Sequence, residues 1–563
     1  MKVEPFRTKR RGAVRRYPAL ALLIAAAALA VLLPSALNVP QSGPSTLAEF
    51  APVPGAGQGQ SDVSDLGQGS SGGLGFGAGS GSRDATPPER IGSPSQKRGR
   101  LKRCVGAPPR QTEDPLSPPC VAFFDGDNGG ATAKGVTKDE VTVVLFVVGD
   151  AGQEASFVDC FGVPAPTDKP QDVTCKAYAR YFNDRYQTYG RLVHVWLYYA
   201  QVQINSALQT DNQVGRVDDQ KRPFAINSAS ATAELGITEA AAKRQIVGVR
   251  YAGTSRSFYT AYPGYIFGYR PDSEDRRRIA ASYLCRKLAG GVARFSGNAD
   301  DRLKPRKFGY VGSGSAMSAM DAELKQQCDL EVTSSANPAS AATAQAETAR
   351  LKADQVTTAI LLDPSAHARN ASTGATQNAW FPEWFLPGDI LVGGPDTNSV
   401  ARTYSQAEWR NAFGFTFDYR RDEVQKQQWF RAFKEGCPTC PDPNDATAAF
   451  AYDSLNMLFW GIQAAGPRLT AQNLDKGLHA IPPNGSPNPY KPAAYFAPGN
   501  YTFIKDAMQI WWDGSGEAPG DPVPGCYRLP NEGQRLRAGD WKLGDGDIQE
   551  PGSPCQGSPS AAV

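Results

Sequence analysis

Two short runs offer hydroxyls without bulk: Asn227-Ser228-Ala229-Ser230 and Tyr251-Ala252-Gly253-Thr254-Ser255. Small side chains of this kind let backbone amides approach a polar ligand while the hydroxyls direct hydrogen bonds at it. Gly312-Ser313-Gly314-Ser315 has the same chemistry, yet Met317 stands where a dinucleotide fingerprint needs its third glycine. Asp363 and Asp396 are acids that could pair a cationic group. The same residue types also make ordinary turns and helix caps, so both readings stand at this level.

Other chemistries lack their parts. Three histidines in 563 residues, His194, His367 and His479, do not build a polyhistidine metal centre, and neither a metal nor a cofactor is expected. Asp125-Gly126-Asp127-Asn128-Gly129-Gly130 starts like a calcium loop, but glycine at position five and Val136 at position twelve make it a turn. Gly69-Ser70-Ser71-Gly72-Gly73 matches the nucleophile-elbow pattern inside a glycine–serine tract, where no strand or helix can frame it. Cys437-Pro438-Thr439-Cys440 has redox spacing, but the turn-rich run from Pro441 to Asn444 favours a structural disulfide. No catalytic constellation emerges, and the chain is read as a non-enzyme. With 59 Lys+Arg against 56 Asp+Glu there is no concentrated basic face for nucleic acid.

The elements that must position these residues alternate. Glu140–Val148 is a nearly unbroken apolar run, as a strand buried on both faces requires. Strands are predicted at 192–200, 223–227, 245–249, 265–269, 307–311, 356–362 and 389–392, and helices at 172–189, 272–288, 317–327 and 344–353. Such alternation implies α/β architecture with parallel sheets and right-handed crossovers. A break near Pro271 divides it into two doubly wound lobes. In such sheets ligands lie beyond the carboxyl ends of strands, which is where the hydroxyl runs fall. Trp380, Phe381, Trp384 and Phe385 either pack a helix against the sheet or stack on a ligand.

Several segments resemble the type I periplasmic binding proteins, the branched-chain amino-acid receptor group of ABC transporter substrate-binding proteins. Gly135-Val136-Thr137-Lys138-Asp139-Glu140-Val141-Thr142-Val143 is similar to that family's entry into its first strand. Tyr181-Phe182-Asn183 followed by Gly190-Arg191-Leu192-Val193 is similar to its first helix and second strand. Tyr265-Ile266-Phe267-Gly268-Tyr269-Arg270-Pro271 resembles its passage between lobes, and Ala451-Tyr452-Asp453-Ser454-Leu455 its late helix. The resemblance spans about Lys134 to Asp506. It implies lobes that exchange chain more than once and close about a hinge near Tyr269–Asp272. It also implies a ligand-binding set of Ser228, Ser230, Ala252 and Thr254 from the first lobe with Ser313, Ser315, Asp363 and Asp396 from the second. The implied partners are a small polar ligand, such as an amino acid or a related amide or acid, and an ABC permease. A tethered envelope sensor, and more remotely an α/β hydrolase, are the competing functions.

The ends set the compartment. A basic tail (1–16) precedes an apolar segment (17–37) that reads as a membrane anchor or a signal peptide. Residues 41–100 hold 14 Gly, 10 Ser and 6 Pro, half of the stretch, so a disordered linker is expected over 38–103. The first lobe is expected over 104–268 plus 398–500, and the second over 269–397 plus 501–555. All ten cysteines lie beyond the apolar segment and pair naturally in order: Cys104–Cys120, Cys160–Cys175, Cys285–Cys328, Cys437–Cys440 and Cys526–Cys555. Thiol titration of the denatured, unreduced protein should therefore find no free thiol; two or more would defeat this pairing.

Overall fold

The computed structural model describes residues 104–557 except 106–108, 112–113, 115, 123, 149–153, 166, 201–206, 229–233, 251–252, 363–364, 389–396, 444–446, 485–486 and 545. The basic tail, the apolar segment 17–37 and the linker lie outside the described residues. Among the described residues, no helix is long and apolar enough to cross a membrane.

The chain enters through a small antiparallel pair, β1 (Cys104–Val105) with β2 (Arg110–Gln111), and then wraps the first lobe. Asp114 anchors this wrap. Its carboxylate accepts hydrogen bonds from the Tyr186 hydroxyl and the Trp460 indole N–H, each at 2.6 Å. Burial pushes this carboxyl up, and those hydrogen bonds pull it partly back. The turn 125–130 is structural: the Arg191 guanidinium donates to the carbonyls of Asn128 (2.6 Å) and Gly130 (3.1 Å).

The first sheet is built on β3 (Glu140–Val148), which pairs in parallel with β5 (Leu192–Ala200) and β6 (Ala225–Ser228). An added edge strand, β4 (Ser156–Asp159), runs antiparallel to β5. The parallel expectation fails at β4 because the stretch between β3 and β4 is too short for a crossover helix. A bridge from Ala225 to Val247 carries the sheet on to the parallel pair β7 (Gly248–Arg250) and β8 (Ile266–Gly268). Helix Pro170–Arg185 packs on β5, where the Asn183 side chain donates to the Val193 carbonyl at 2.9 Å. It stops four residues short of the sequence expectation because Tyr186 takes extended backbone. Asp172, expected as its cap, sits in the first turn and accepts from the Lys169 N–H at 3.2 Å.

After Gly268 the chain passes to the second sheet. Its order is β10 (Ser334–Ala336), β9 (Phe308–Val311), β11 (Thr358–Leu361), β12 (Glu383–Pro387), β13 (Ala412–Thr416), β14 (Ala507–Asp513) and β15 (Cys526–Arg528), with β16 (Arg535–Leu536) also on β14. The first five are parallel, whereas β14, β15 and β16 pair antiparallel. The sheets are thus mixed. β13 leaves for the first lobe at its carboxyl end, and the chain returns at that same end, with Met508 opposite Thr416. β14 must therefore run the other way.

Strand pairing also corrects the lobe boundaries. The return to the first lobe falls after Thr416, not at 398, since β13 hydrogen-bonds to β12. The excursion that follows includes helices Gln428–Gly436 and Thr447–Ala465, both packed on helix Pro170–Arg185. It ends beyond Thr502, which still bridges to Gly268. The aromatic run resolves as packing: Trp384 and Phe385 lie in β12, fully buried, and the Trp380 indole donates to the Val356 carbonyl at 2.9 Å. Residues 389–392, expected as a strand, lie outside the described residues.

The disulfides Cys160–Cys175, Cys285–Cys328, Cys437–Cys440 and Cys526–Cys555 form as expected, and Cys120 is bridged too. The expected partner of Cys120, Cys104, has no described side chain. Cys437 and Cys440 close the carboxyl end of helix Gln428–Gly436, not the amino end a redox thiol uses.

Glu408 tests the core. It is fully buried, accepts from the Trp384 indole and the Thr376 hydroxyl (3.2 Å each), and is pushed up to about 8 by burial. The folded protein thus holds a proton that the unfolded chain, titrating near 4, releases. Stability from this group is full at low pH and is lost as pH rises through about 8. Glu408→Gln keeps the acceptor and removes the titration. Chemical unfolding from pH 5 to 9 should show wild type losing stability with rising pH, by at most about 1.4 kcal/mol per unit from this group, and the variant following a flatter line.

Candidate functional site

The sequence-implied site residues divide into three groups. Ser230, Ala252, Asp363 and Asp396 lie outside the described residues. Ser228 ends β6 and is buried, 5% exposed. Ser313 is the N-cap position of helix Gly314–Cys328 without a side-chain capping bond, and Ser315 is exposed on its first turn. Both follow the carboxyl end of β9, as expected of a βα ligand loop. Thr254 is half-buried in the loop after β7. Each of the four described residues therefore sits at or just beyond a strand's carboxyl end, two from each sheet.

The loop Gly253–Ser255 packs directly on the passage between sheets. A Cβ on Gly253 would stand 2.0 Å from the Pro271 carbonyl oxygen, so only glycine fits. The Ser273 N–H donates to the Thr254 carbonyl at 2.9 Å. Asp272 caps helix Ser273–Tyr283 by accepting from the Asp275 N–H at 2.7 Å.

Three strands of chain make this passage: Gly268–Asp272, Thr416–Arg421 and Thr502–Ala507. The first and third run side by side, with Gly268 N–H to Tyr501 O at 2.7 Å and Phe503 N–H to Gly268 O at 2.9 Å. A buried charge cluster joins all three. Arg270 pairs with Asp418, whose other oxygen accepts from Arg421 at 2.8 Å. Arg535 donates to the Asp418 carbonyl (2.6 Å), the Phe417 carbonyl (3.0 Å) and the Asp506 carboxylate (2.8 Å). Gln556 adds a clamp, accepting from the Arg421 N–H at 3.0 Å and donating to the Tyr419 carbonyl at 2.8 Å. Asp453, on helix Thr447–Ala465, is pushed up to about 7 by burial, with Arg421 and Arg270 pulling it back.

The sequence reading placed the crossings near Tyr269–Asp272, at 397/398 and at 500/501; the second falls after Thr416 instead, and the charges that bind the three were not foreseen. Arg270 lay inside a quoted motif. Asp418, Arg421, Asp506 and Arg535 are spread over more than a hundred residues with no shared spacing, so only the fold brings them together.

No family model matches this chain, and no curated protein matches it. Solved structures do resemble it. A solute-binding protein of an ABC transporter from Rhodopseudomonas palustris, in complex with 3,4-dihydroxybenzoic acid, is 14% identical with a TM-score of 0.47, covering 71% of this chain and 98% of its own. A fatty-acid ABC transporter substrate-binding protein from Thermomonospora curvata is 14% identical, TM-score 0.45, with 74% and 97% covered. A branched-chain amino-acid transporter substrate-binding protein from Streptococcus pneumoniae, in complex with isoleucine, is 11% identical, TM-score 0.45, with 66% and 96% covered. These neighbours are substrate-binding proteins of ABC transporters, the group that the sequence motifs resemble. The architecture of this chain, two α/β lobes joined by three crossings, stands on its own pairings.

Asp418 provides the test of the crossing. Asp418→Asn removes the carboxylate between two buried guanidiniums while keeping its shape. Leaving buried charge without its partner costs about 3–5 kcal/mol. Denaturant unfolding should show a loss of that order, and a loss below ~1 kcal/mol would mean that the cluster is solvated.

Proposed function

We propose that this protein is an extracytoplasmic solute-binding protein whose two lobes close around a small polar ligand, and that it serves as the substrate-binding component of an ABC transporter. The observation that carries the reading is the passage itself: three adjacent crossings, with a hydroxyl-bearing loop packed on the first. Chain connections of this form permit bending about the crossing residues while each lobe stays rigid. The described disulfides favour the same motion, since each of the four stays within one lobe and none spans the crossing.

The first-lobe wall is assigned to Ser228, Ser230, Ala252 and Thr254, where hydroxyls and amides would hold the anionic or polar end of the ligand. Ser313 and Ser315, with Asp363 and Asp396, are assigned to the opposing wall, the two acids for a ligand that carries an ammonium group. The apolar segment 17–37 and the linker suit either a membrane tether or an exported chain. A tether of that length also suits an envelope sensor, and permease and ATPase genes adjoining this one would decide for transport.

A thermal-shift screen over amino acids including isoleucine, short amides, aromatic acids including 3,4-dihydroxybenzoate, and sugars tests the reading. A ligand at 100 times its dissociation constant should add about 2.7 kcal/mol to stability, and small-angle scattering should show compaction. Thr254→Ala should then weaken binding by roughly tenfold to a hundredfold, the worth of one hydrogen bond to a charged group, with the melting temperature of the free protein unchanged. An unchanged radius at saturating ligand would reject lobe closure.

A further inference from the structure

We infer that Arg256 is a positioning residue that locks the Gly253–Ser255 loop to the passage between the lobes, so that the loop and two of the three crossings move as one body. The purpose assigned to this lock rests on the solute-binding reading; the lock itself is a property of the unliganded chain.

Arg256 follows the loop immediately and opens the short helix Arg256–Thr260. Its guanidinium grips the first turn of helix Ser273–Tyr283. Nε donates to Asp272 Oδ2 at 2.9 Å, and Nη2 donates to Asp272 Oδ1 at 3.2 Å and to Asp275 Oδ1 at 2.8 Å. Its backbone N–H donates to Glu274 Oε2 at 2.8 Å. Both aspartates are almost wholly withdrawn from water, at 1% and 5% side-chain exposure, so they need these partners far more than a surface pair would. The second oxygen of Asp275 carries the connection further. It accepts from Asn500 Nδ2 at 3.0 Å, and Lys505 Nζ stands 3.5 Å away. Those two residues flank Thr502, which bridges to Gly268. The path thus runs from the loop through one guanidinium to the first crossing, and through one carboxylate to the third.

Geometry explains why arginine is used. A planar fork can meet both oxygens of Asp272 and one of Asp275 together, whereas an ammonium offers one point charge. The contact between Gly253 and Pro271 fixes the distance, and the fork fixes the angle. A ligand drawing on Thr254 would pull on the crossing residues without needing contact with them.

Hydrogen exchange on the full chain, without ligand, tests the lock. In Arg256→Ala, amides at 272–276 and 500–505 should exchange about tenfold faster together, reflecting a local opening, while β3 and β9 keep wild-type protection. Arg256→Lys should fall between, and Asp275→Asn should speed 500–505 while sparing 253–256. Faster exchange confined to 253–258, or spread over both lobes, would overturn the proposal, the first as a purely local role and the second as global destabilisation. Isoleucine and 3,4-dihydroxybenzoate, added to wild type and to Arg256→Ala, form the second arm. A probe that compacts wild type and binds the variant without compacting it supports the lock, and equal compaction of both rejects it. If neither probe shifts wild-type melting, the assignment of these ligand classes fails, and the exchange pattern alone decides the lock.

Discussion

Asp418 lies between Arg270 and Arg421 where the chain passes between its two sheets, and the rest of the architecture depends on that carboxylate being there. Arg270 belongs to the first crossing and Asp418 to the second, while Arg535 ties the second to the third through Asp506. The first and third crossings share backbone hydrogen bonds, whereas beyond Thr416 the second meets them mainly through side chains. Side-chain charge supplies that pairing. Buried ion pairs of this kind contribute little net stability, because desolvation offsets most of the attraction. Their effect is geometric: the carbonyls of Phe417, Asp418 and Asp506 all accept from one rigid guanidinium, which fixes the three segments in one arrangement.

From that arrangement the sheet directions follow. β13 enters the crossing and β14 leaves it side by side with it, so β14 is antiparallel in an otherwise parallel core, and β15 and β16 inherit the reversal. The carboxyl-terminal segment closes over the same place. The Gln556 carbonyl accepts from Asn398 at 3.0 Å while its side-chain amide clamps Tyr419 and Arg421, and Cys526–Cys555 holds that segment to β15. With the Tyr527 N–H donating to Asn398 at 3.2 Å, sequence positions 398, 419, 421, 527 and 556 form one patch, and the last residues described serve the crossing as directly as the strands do.

What the sequence discloses is what has a local period. β3 and β5 were legible at their full lengths, since an apolar β-branched run has no other economical place than a sheet buried on both faces. The helix from Ser273 was legible as a helix over 272–288, although its last turn widens into a π-turn at Leu284–Leu288. β12 was not legible, because Glu383-Trp384-Phe385 reads as an aromatic cluster until Arg306 is seen to neutralise Glu383 from 77 positions away. β4, β13 and β14 failed for the related reason that their direction and place are set by where the chain must cross. Among the candidate residues, the strand-end positions of Ser228, Thr254, Ser313 and Ser315 were legible, while Arg256, Asp272 and Asp275 carry no motif and acquire meaning only through their contacts.

Covalent and ionic bonds are placed with opposite consequences in this molecule. Each described disulfide joins segments of one lobe: the loop after β4 to helix Pro170–Arg185, the π-turn to the end of helix Gly314–Cys328, the end of helix Gln428–Gly436 to itself, and β15 to the carboxyl-terminal segment. Such links restrict the unfolded chain and stiffen the lobe without reference to its neighbour. Between the lobes the described ties are apolar contacts, hydrogen bonds and ion pairs, which can shift and re-form at angles a disulfide would forbid. A fold that used its cysteines across the passage would be locked in one pose. Rigid bodies joined by exchangeable bonds are free to bend where a disulfide would hold them. On the solute-binding reading proposed above, that division of bonding would give the hydroxyl-bearing loop fixed to the first crossing a mechanical outlet.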